Sequence, residues 1–225
     1  MRYDAIVFDN DGVLTELTRR EAKRTSIRNT LREFGVTNPT DTDVDVLYDV
    51  TPTDIKTVAE RYDLDPVELL KRREADMATI QRDMLRSREK DVYEDVEVLW
   101  ELPVPLGIVS NNQHRTIEHV IEIFGLDSAV ETYYGRKPTM PGIDCRKPNP
   151  TYLNRAIADL AADKPLYVGD GNMDVNAAHR AGIDVAFLRR DHRANYELER
   201  EPTYEINGLD AIPSLLNAAV PTTED

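Results

Sequence analysis

The chain has 225 residues, 40% hydrophobic and 31% charged, a size and balance typical of one or two globular domains. Its net charge of −14 argues against binding to nucleic acid or to anionic membranes, because like charges repel. The single cysteine, Cys145, excludes an intrachain disulfide. No apolar run approaches the roughly 18 residues that cross a bilayer, and we expect a cytoplasmic protein.

The basic residues are strongly biased towards arginine. Of the 28 basic residues only seven are lysines, and they face 42 acidic residues. An acidic, lysine-poor surface favours a salt-adapted (halophilic) cytoplasm, where dissolved ions screen the self-repulsion of the protein. An ordinary acidic protein is the alternative interpretation.

Short apolar runs recur where the strands of a buried sheet are expected. They span residues 5–8, 106–109, 166–169 and 185–188. The runs lack alternation, which suits strands of a parallel sheet that is covered on both faces. Helical patterns lie between them at residues 116–124, 150–160 and about 173–181. Gly125 and Gly182 are placed as stops, and Pro150 suits a first turn. The alternation predicts a doubly wound, mainly parallel α/β core.

Residues from about 19 to 90 interrupt this rhythm. They show helical patterns at residues 21–34, about 42–50, 53–62 and 65–88, and no convincing strand. Asp65 is suited to cap the last of these helices, and Pro66 to occupy its first position. The sequence therefore predicts a core of residues 1–18 and 91–220, a helical cap domain of residues 19–90, and a frayed tail of residues 221–225.

Polar residues follow the predicted strands, and a basic segment precedes the helix at 150–160. Ligands of an open α/β sheet bind at the carboxyl ends of its strands, so we expect these residues to converge there. The candidates are Asp9 and Asp11, Ser110 and Asn111, Lys147, and Asp170 and Asp174.

These residue types suit phosphoryl transfer, in which catalysis is mainly positioning and charge neutralisation. Asp9 and Asp170 supply the hard oxygen ligands that Mg²⁺ prefers. Asp9 is placed to attack phosphorus, and Asp11 to protonate the leaving oxygen and then activate water. Ser110 and nearby backbone N–H groups are candidates to hold phosphate oxygens, with Lys147 as a point charge.

The four segments, in this order, resemble the haloacid dehalogenase (HAD) superfamily of phosphohydrolases. The pattern D-x-D-G-x-L lies at residues 9–14, Ser110 is followed by Asn111, K-P-x-P lies at 147–150, and G-D-x-x-x-D at 169–174. The resemblance covers residues from about 3 to 188. It implies a Rossmann-like core, Asp9 as nucleophile, Asp11 as acid/base that binds Mg²⁺ through its backbone carbonyl, and a helical cap of the phosphoglycolate phosphatase type.

Other functions share this resemblance. Dehalogenases of the superfamily lack a second aspartate at the position of Asp11. The presence of Asp11 therefore favours phosphate chemistry. A sugar-phosphate mutase of the β-phosphoglucomutase type shares all four segments, and a non-catalytic binding protein on the same fold is a third alternative. Phosphonate-cleaving relatives use a cap lysine, for which the sequence offers Lys23, Lys56, Lys71 and Lys90. We predict a phosphatase that acts on a small phosphorylated metabolite.

The remaining charged residues receive simpler interpretations. Asp174 is expected to orient Lys147 or a metal-bound water, with direct metal ligation as the alternative. Solvated positions are predicted for Arg136 and Arg146, with contact to the substrate as the alternative. Residues 71–73 and 189–190 are predicted to be surface charge.

Overall fold

The centre of the molecule is a six-stranded sheet with the strand order β3-β2-β1-β4-β5-β6, in which every pair of neighbours is parallel. This computed structural model describes residues 2–217, so the predicted tail and residues 218–220 lie outside the described residues. The strands are β1 (Ala5–Phe8), β2 (Leu106–Gln113), β3 (Val130–Arg136), β4 (Pro165–Gly169), β5 (Asp184–Leu188) and β6 (Tyr204–Ile206). The predicted fold class is confirmed.

Helices cover both faces of the sheet and fill the long connection from β1 to β2. That connection holds α1 (Arg20–Glu33), α2 (Asp41–Val46), α3 (Pro52–Arg61) and α4 (Pro66–Ser87). The other helices are α5 (His114–Phe124), α6 (Met140–Asp144), α7 (Thr151–Asp159), α8 (Asn172–Ala181) and α9 (Ile212–Asn217). Within residues 2–217, no helix is both long and apolar enough to cross a membrane.

The hydrophobic core follows from the apolar runs of the inner strands. All four residues of β1 are buried, because β1 lies between β2 and β4 and hydrophobic clusters cover both faces of the sheet. Ile6 and Phe8 belong to the cluster on one face of the sheet, and Ala5 and Val7 to the cluster on the other. An unbroken apolar run is what a strand with two covered faces requires.

Two strands lack a predicted counterpart, and both lie at the edges of the sheet. In β3 only Val130, Gly135 and Arg136 are fully buried, and β6 buries only Ile206. Edge strands are partly exposed, so their sequences lack the continuous apolar run by which inner strands are identified.

The helices of residues 19–90 begin and end close to the predicted positions. Asp65 accepts hydrogen bonds from the N–H groups of Val67 and Glu68, and Pro66 opens α4. The second helix ends at Val46 rather than near residue 50. A new helix starts nearby, where Thr51 and Asp54 form a capping box.

A third hydrophobic cluster joins these helices to each other. It contains buried residues of α1 to α4 and of their loops, and Ile143 from α6.

The helix predicted to begin at Pro150 begins one residue later, at Thr151. The side chain of Asn149 accepts the N–H of Thr151, which starts α7 there.

Candidate active site

The predicted site residues gather at the carboxyl ends of β1, β2 and β4. The chain runs from β1 outward to β3 on one side and through β4 to β6 on the other, so the strand order reverses between β1 and β4. Side chains at such a reversal border a crevice that the neighbouring loops leave open. Here the crevice is part of a cavity of about 790 Å³, which residues of the helical insertion and of the sheet edge line together.

A tight turn after β1 presents the first two carboxylates. The N–H of Asp9 still donates to the carbonyl of Val168 in β4 at 2.8 Å, which ties the residue to the sheet. Gly12 has a φ of +83°, and a Cβ atom there would lie 2.3 Å from Oδ2 of Asp170. Only glycine satisfies both conditions, so this turn requires Gly12.

Lys147 lies at the centre of the buried part of the site. Its Nζ donates to the carbonyl of Val109 at 3.0 Å, to the hydroxyl of Tyr167 at 2.7 Å and to Oδ1 of Asp174 at 2.6 Å. It also lies 2.8 Å from Oδ1 of Asp9. A buried ammonium group needs such partners, and they fix its charge beside Asp9.

Three carboxylates form a compact acidic cluster. One oxygen each of Asp9, Asp170 and Asp174 lies within 4.8 Å of the others. Burial raises the pKa of Asp9 to about 8. Lys147 opposes this rise, and Asp174 and Asp170 add to it. Oδ1 of Asp9 is buried, and its close partner is the ammonium group of Lys147. Three carboxylates this close together supply the hard oxygen ligands that fit a divalent cation such as Mg²⁺.

Asp174 is held more tightly than the other two carboxylates. Its Oδ1 accepts from Lys147, and its Oδ2 accepts the N–H groups of Asp170 and Gly171 at 3.1 and 3.0 Å. Both oxygens are therefore committed to protein groups. This arrangement orients Lys147 and the loop that carries Asp170.

The carboxylate of Asp170 contacts two side chains that no sequence motif predicted. Its Oδ2 lies 2.7 Å from Nε2 of His192 and accepts from Nε of Arg193 at 2.9 Å. Both partners belong to the short 3₁₀ helix Asp191–Arg193, which follows β5. Two cationic or hydrogen-bonding groups near one oxygen offset the repulsion within the acidic cluster.

Asp11 contacts a different set of residues. One oxygen pairs with the ammonium group of Lys90, and the other accepts from Nδ2 of Asn112 at 2.7 Å. Lys90 is fully buried and also donates to Thr18 at 3.1 Å and to Gln81 at 3.4 Å. Thr18 precedes the helical insertion and Lys90 follows it, so these contacts join Asp11 to both segments that connect the insertion to the core.

The ionisation of Asp11 reflects these neighbours. Burial alone would raise its pKa. The positive charges of Lys90 and Lys23, together with the hydrogen bonds from Lys90 and Asn112, outweigh that effect. The pKa of Asp11 consequently lies below its usual value. In this arrangement Asp11 is a carboxylate that is able to accept a proton.

Ser110 and Asn111 lie in the second half of β2, at its register shift, and line the same cavity as Asp9. Ser110 is buried, and its Oγ accepts the N–H of Asn112 at 3.1 Å. The side chain of Asn111 makes two bonds to the backbone of Lys147: its Oδ1 accepts the N–H at 2.8 Å and its Nδ2 donates to the carbonyl at 2.9 Å. The Asn111 amide thus holds the loop that carries Lys147.

Several arginines differ from the expectation of solvated surface charge. Arg73 and Arg136 are buried, and both pair with the buried carboxylate of Glu74. Arg190 pairs with Asp95 and lies over the ring of Tyr93 at 3.7 Å. The prediction of surface positions is wrong for these arginines, because each partner is distant in sequence or lies within the same helix. No local pattern indicates such a pairing.

Comparison with known families gives an extended match. The family described as haloacid dehalogenase-like hydrolase matches residues 6–188, well over half of the chain. This span contains all seven predicted site residues.

Proteins similar in sequence to this chain carry several names. Pyrophosphatase PpaX of Listeria welshimeri is 27% identical over 200 residues, which cover 85% of this chain and 88% of that protein. (S)-2-haloacid dehalogenase 2 of Pseudomonas sp. (strain CBS-3) is 27% identical over 132 residues. Phosphoglycolate phosphatase of Haemophilus influenzae is 28% identical over 129 residues. Each of the last two matches spans 56% of the relative's length, so the chain spans just over half of these relatives.

Solved structures share the fold over nearly the whole chain. CbbY from Rhodobacter sphaeroides, solved in complex with phosphate, superposes with a TM-score of 0.69 at 15% identity and covers 94% of this chain and 99% of its own. A HAD-superfamily hydrolase of subfamily IA from Geobacter sulfurreducens gives a TM-score of 0.60 at 19% identity, with 94% and 98% covered. With the match over residues 6–188, the predicted resemblance is confirmed, and the chain belongs to the haloacid dehalogenase-like hydrolase family.

Proposed function

We propose that the protein is a Mg²⁺-dependent phosphatase that hydrolyses a small phosphorylated metabolite through an aspartyl-phosphate on Asp9. The observation that carries this proposal is the buried pairing of Asp9 with Lys147 beside two further carboxylates, at the reversal of the strand order. The names of two relatives, a pyrophosphatase and a phosphoglycolate phosphatase, support phosphate chemistry. The second carboxylate, Asp11, favours it over dehalogenation.

In the first step, a carboxylate oxygen of Asp9 attacks phosphorus while the bond from phosphorus to the leaving oxygen breaks. The protonated form of Asp11, a minor form because its pKa lies below the usual value, gives its proton to that oxygen, so the product leaves as an alcohol. Lys147 and the hydroxyl of Ser110 hold phosphate oxygens and neutralise their charge. In the second step, Asp11 takes a proton from the water that attacks the phosphoryl group and releases Asp9.

The acidic cluster would hold the metal. We assign Asp9, Asp170 and the backbone carbonyl of Asp11 as ligands, and Asp174 as the residue that orients Lys147. Bound Mg²⁺ would reduce the repulsion between the anionic Asp9 and the anionic phosphate. Because the Asn111 amide bonds the backbone of Lys147, its proposed contribution to phosphate binding is the placement of that lysine.

The four helices of residues 19–90 are proposed to form a cap over this site. Helix α4 contributes Arg73, Met77 and Gln81 to the wall of the cavity, and the turn after α2 contributes Tyr48. A cap that closes would exclude water during the first step and readmit it for the second.

The proposed function is tested with a panel of phosphorylated metabolites and p-nitrophenyl phosphate, assayed with Mg²⁺ at several salt concentrations. We expect release of inorganic phosphate that EDTA abolishes. A phosphorylated isomer as the product would identify a mutase. Tight binding without turnover would identify a non-catalytic binding protein, and either result would contradict the proposal.

Binding of Mg²⁺ is expected to depend on pH through Asp9. Without the metal its pKa is raised to about 8, so a cation must displace a proton at lower pH. The apparent Mg²⁺ affinity should rise by up to about tenfold per pH unit until Asp9 is ionised, and then level off. Calorimetric titrations in buffers of different ionisation enthalpy count the released proton. An affinity that is independent of pH, with no proton released, would contradict this assignment.

Lys90 is expected to keep Asp11 ionised for the second step. In Lys90→Met the pKa of Asp11 should rise, because its positive neighbour is lost, and the acidic limb of the kcat profile should move to higher pH. Lys90→Arg should restore the wild-type profile in part. The matched control is Lys56→Met, which removes an exposed lysine of α3. A Lys90→Met profile that coincides with wild type would refute this role.

A further inference from the structure

A buried triad of charges lies at the boundary between the helical insertion and the core. It consists of Arg73 and Glu74 from α4 and of Arg136 from the end of β3, with exposed fractions of 2%, 3% and 5%. Arg73 and Arg136 also line the cavity that contains Asp9. The proposed phosphatase mechanism uses none of the three.

Both guanidinium groups share one carboxylate. Arg136 donates through Nε and Nη2 to the two oxygens of Glu74 at 2.8 and 2.9 Å, and Nη1 of Arg73 pairs with the same group. The remaining nitrogens of Arg73 donate to the carbonyls of Leu47 and Tyr48. Within residues 2–217, Nη1 of Arg136 has no hydrogen-bond acceptor.

The triad of two guanidinium groups and one carboxylate therefore carries a net positive charge at the wall of the cavity. Burial lowers the pKa of Arg136 to about 10, and repulsion from Arg73 and Arg146 opposes the attraction of Glu74. Burying an unpaired charge is costly, and a site that tolerates it is suited to receive an anion.

Two more cations line the same cavity without a carboxylate partner. Within the described chain, Lys23 of α1 and Arg146, which precedes Lys147, take part in no ion pair shorter than 4.0 Å. The acidic residues on this side, Asp49 and Asp144, are exposed to solvent and form no ion pair with the triad. The buried charge at this end of the cavity is therefore positive.

The distance from the proposed nucleophile sets the size of a ligand. Arg136 pairs in register with Gln113, three residues after Ser110, and β3 is two strands from β1. Adjacent strands lie about 4.8 Å apart, which separates Asp9 and Arg136 by roughly 10 Å across the sheet. Arg136 also lies two residues beyond Tyr134, which pairs with Val109 at the level of Asp9. This offset adds about 7 Å along the strands, so the two backbones are about 12 Å apart. A short organic chain is able to span this separation.

We propose that Arg136, with Arg146 and the charge of Arg73 behind it, forms a second anion subsite, and that the substrate carries a second anionic group a few carbons from the phosphate. This inference rests on the proposed phosphatase function and specifies the class of substrate. A carboxylate and a second phosphate share the required chemistry, because both accept charge-assisted hydrogen bonds from a guanidinium group.

Matched substrates test the subsite. Phosphocarboxylates and bisphosphates of about two to five carbons are each compared with the alcohol phosphate of equal chain length, and p-nitrophenyl phosphate reports on the phosphate site alone. We expect kcat/KM to favour the compounds with two anions by about 10- to 100-fold, the effect of a charge-assisted hydrogen bond. The carboxylate and bisphosphate series identify which anion is preferred.

Arg136→Met is the informative variant, since it leaves Arg73 and Glu74 as a neutral pair. It should lower the preference for a second anion by about tenfold or more, and leave kcat/KM for p-nitrophenyl phosphate within about twofold of wild type. Arg146→Met is the second variant if Arg136→Met fails to fold. Arg115→Met, which removes an exposed arginine of α5, is the charge-matched control.

Three results would overturn the proposal. They are equal kcat/KM for both members of each substrate pair, equal losses on all substrates in both variants, and a matching loss of preference in Arg115→Met. If the wild type hydrolyses no phosphate monoester, the proposed phosphatase function is wrong. The subsite is then tested by comparing the binding affinities of the two members of each substrate pair. Calorimetric titration of the wild type should then show weaker binding of the alcohol phosphates, and equal binding would reject the subsite.

Discussion

Replacing Asp9 by asparagine is expected to lower turnover of every phosphorylated substrate by at least about 10⁴-fold, because an amide is a poor nucleophile and a poor ligand for Mg²⁺. Lys147 would retain its bonds to Val109, Tyr167 and Asp174, so the site should keep its shape. Steady-state assays with p-nitrophenyl phosphate measure the loss.

The fold of Asp9→Asn should be preserved. Burial and two acidic neighbours make the charged form of Asp9 unfavourable, and the variant removes this carboxylate. Its unfolding temperature should therefore be no lower than that of the wild type. The matched control is Asp127→Asn, which neutralises an exposed aspartate of the 3₁₀ helix Leu126–Ser128 and should remain fully active. Substantial turnover by purified Asp9→Asn would refute the nucleophile assignment.

Replacing Asp11 by asparagine is expected to slow the two chemical steps unequally. An alkyl phosphate needs a proton on its leaving oxygen, so its turnover should fall by about 10²- to 10⁴-fold. The nitrophenolate leaving group needs no proton, so p-nitrophenyl phosphate should still give a rapid first turnover. A slow steady state follows, because the second step has lost its base. Stopped-flow absorbance resolves the burst.

The same variant separates acid/base catalysis from metal binding. Asp11→Asn keeps its backbone carbonyl, so its Mg²⁺ affinity should stay within about threefold of wild type. Asp170→Ala should weaken the apparent Mg²⁺ affinity, and its activity should recover partly at high magnesium concentration. If Asp11→Asn is crippled in metal binding and Asp170→Ala is unaffected, the two carboxylates have been assigned in the wrong order.

Local sequence patterns accounted for the inner part of the fold. The runs that form β1, β2, β4 and β5 are apolar because these strands are covered on both faces, and that property is visible within five residues. The residues after them inherit their position from the strands. For this reason Asp9, Ser110 and Asp170 could be placed at one edge before the structure was known.

The supporting residues depend on contacts between distant segments. Lys90 meets Asp11 across 79 positions, and Arg136 meets Glu74 across 62. No hydrophobic period or capping pattern encodes such a pairing, so Lys90 was one of four equal lysines and Arg136 was predicted to be solvated. His192 escaped notice for the same reason, since only the 3₁₀ helix after β5 brings it to Asp170.

The most direct test of the central claim is to trap the covalent intermediate on Asp9. The Asp11→Asn variant, which should form the intermediate faster than it hydrolyses it, is mixed with p-nitrophenyl phosphate and Mg²⁺, quenched in acid and digested for mass spectrometry. We expect one phosphoryl group on the peptide that spans residues 3–19, localised to Asp9, and none when EDTA is present. A burst of nitrophenolate without phosphorylated Asp9, or a phosphoryl group on another residue, would contradict the account.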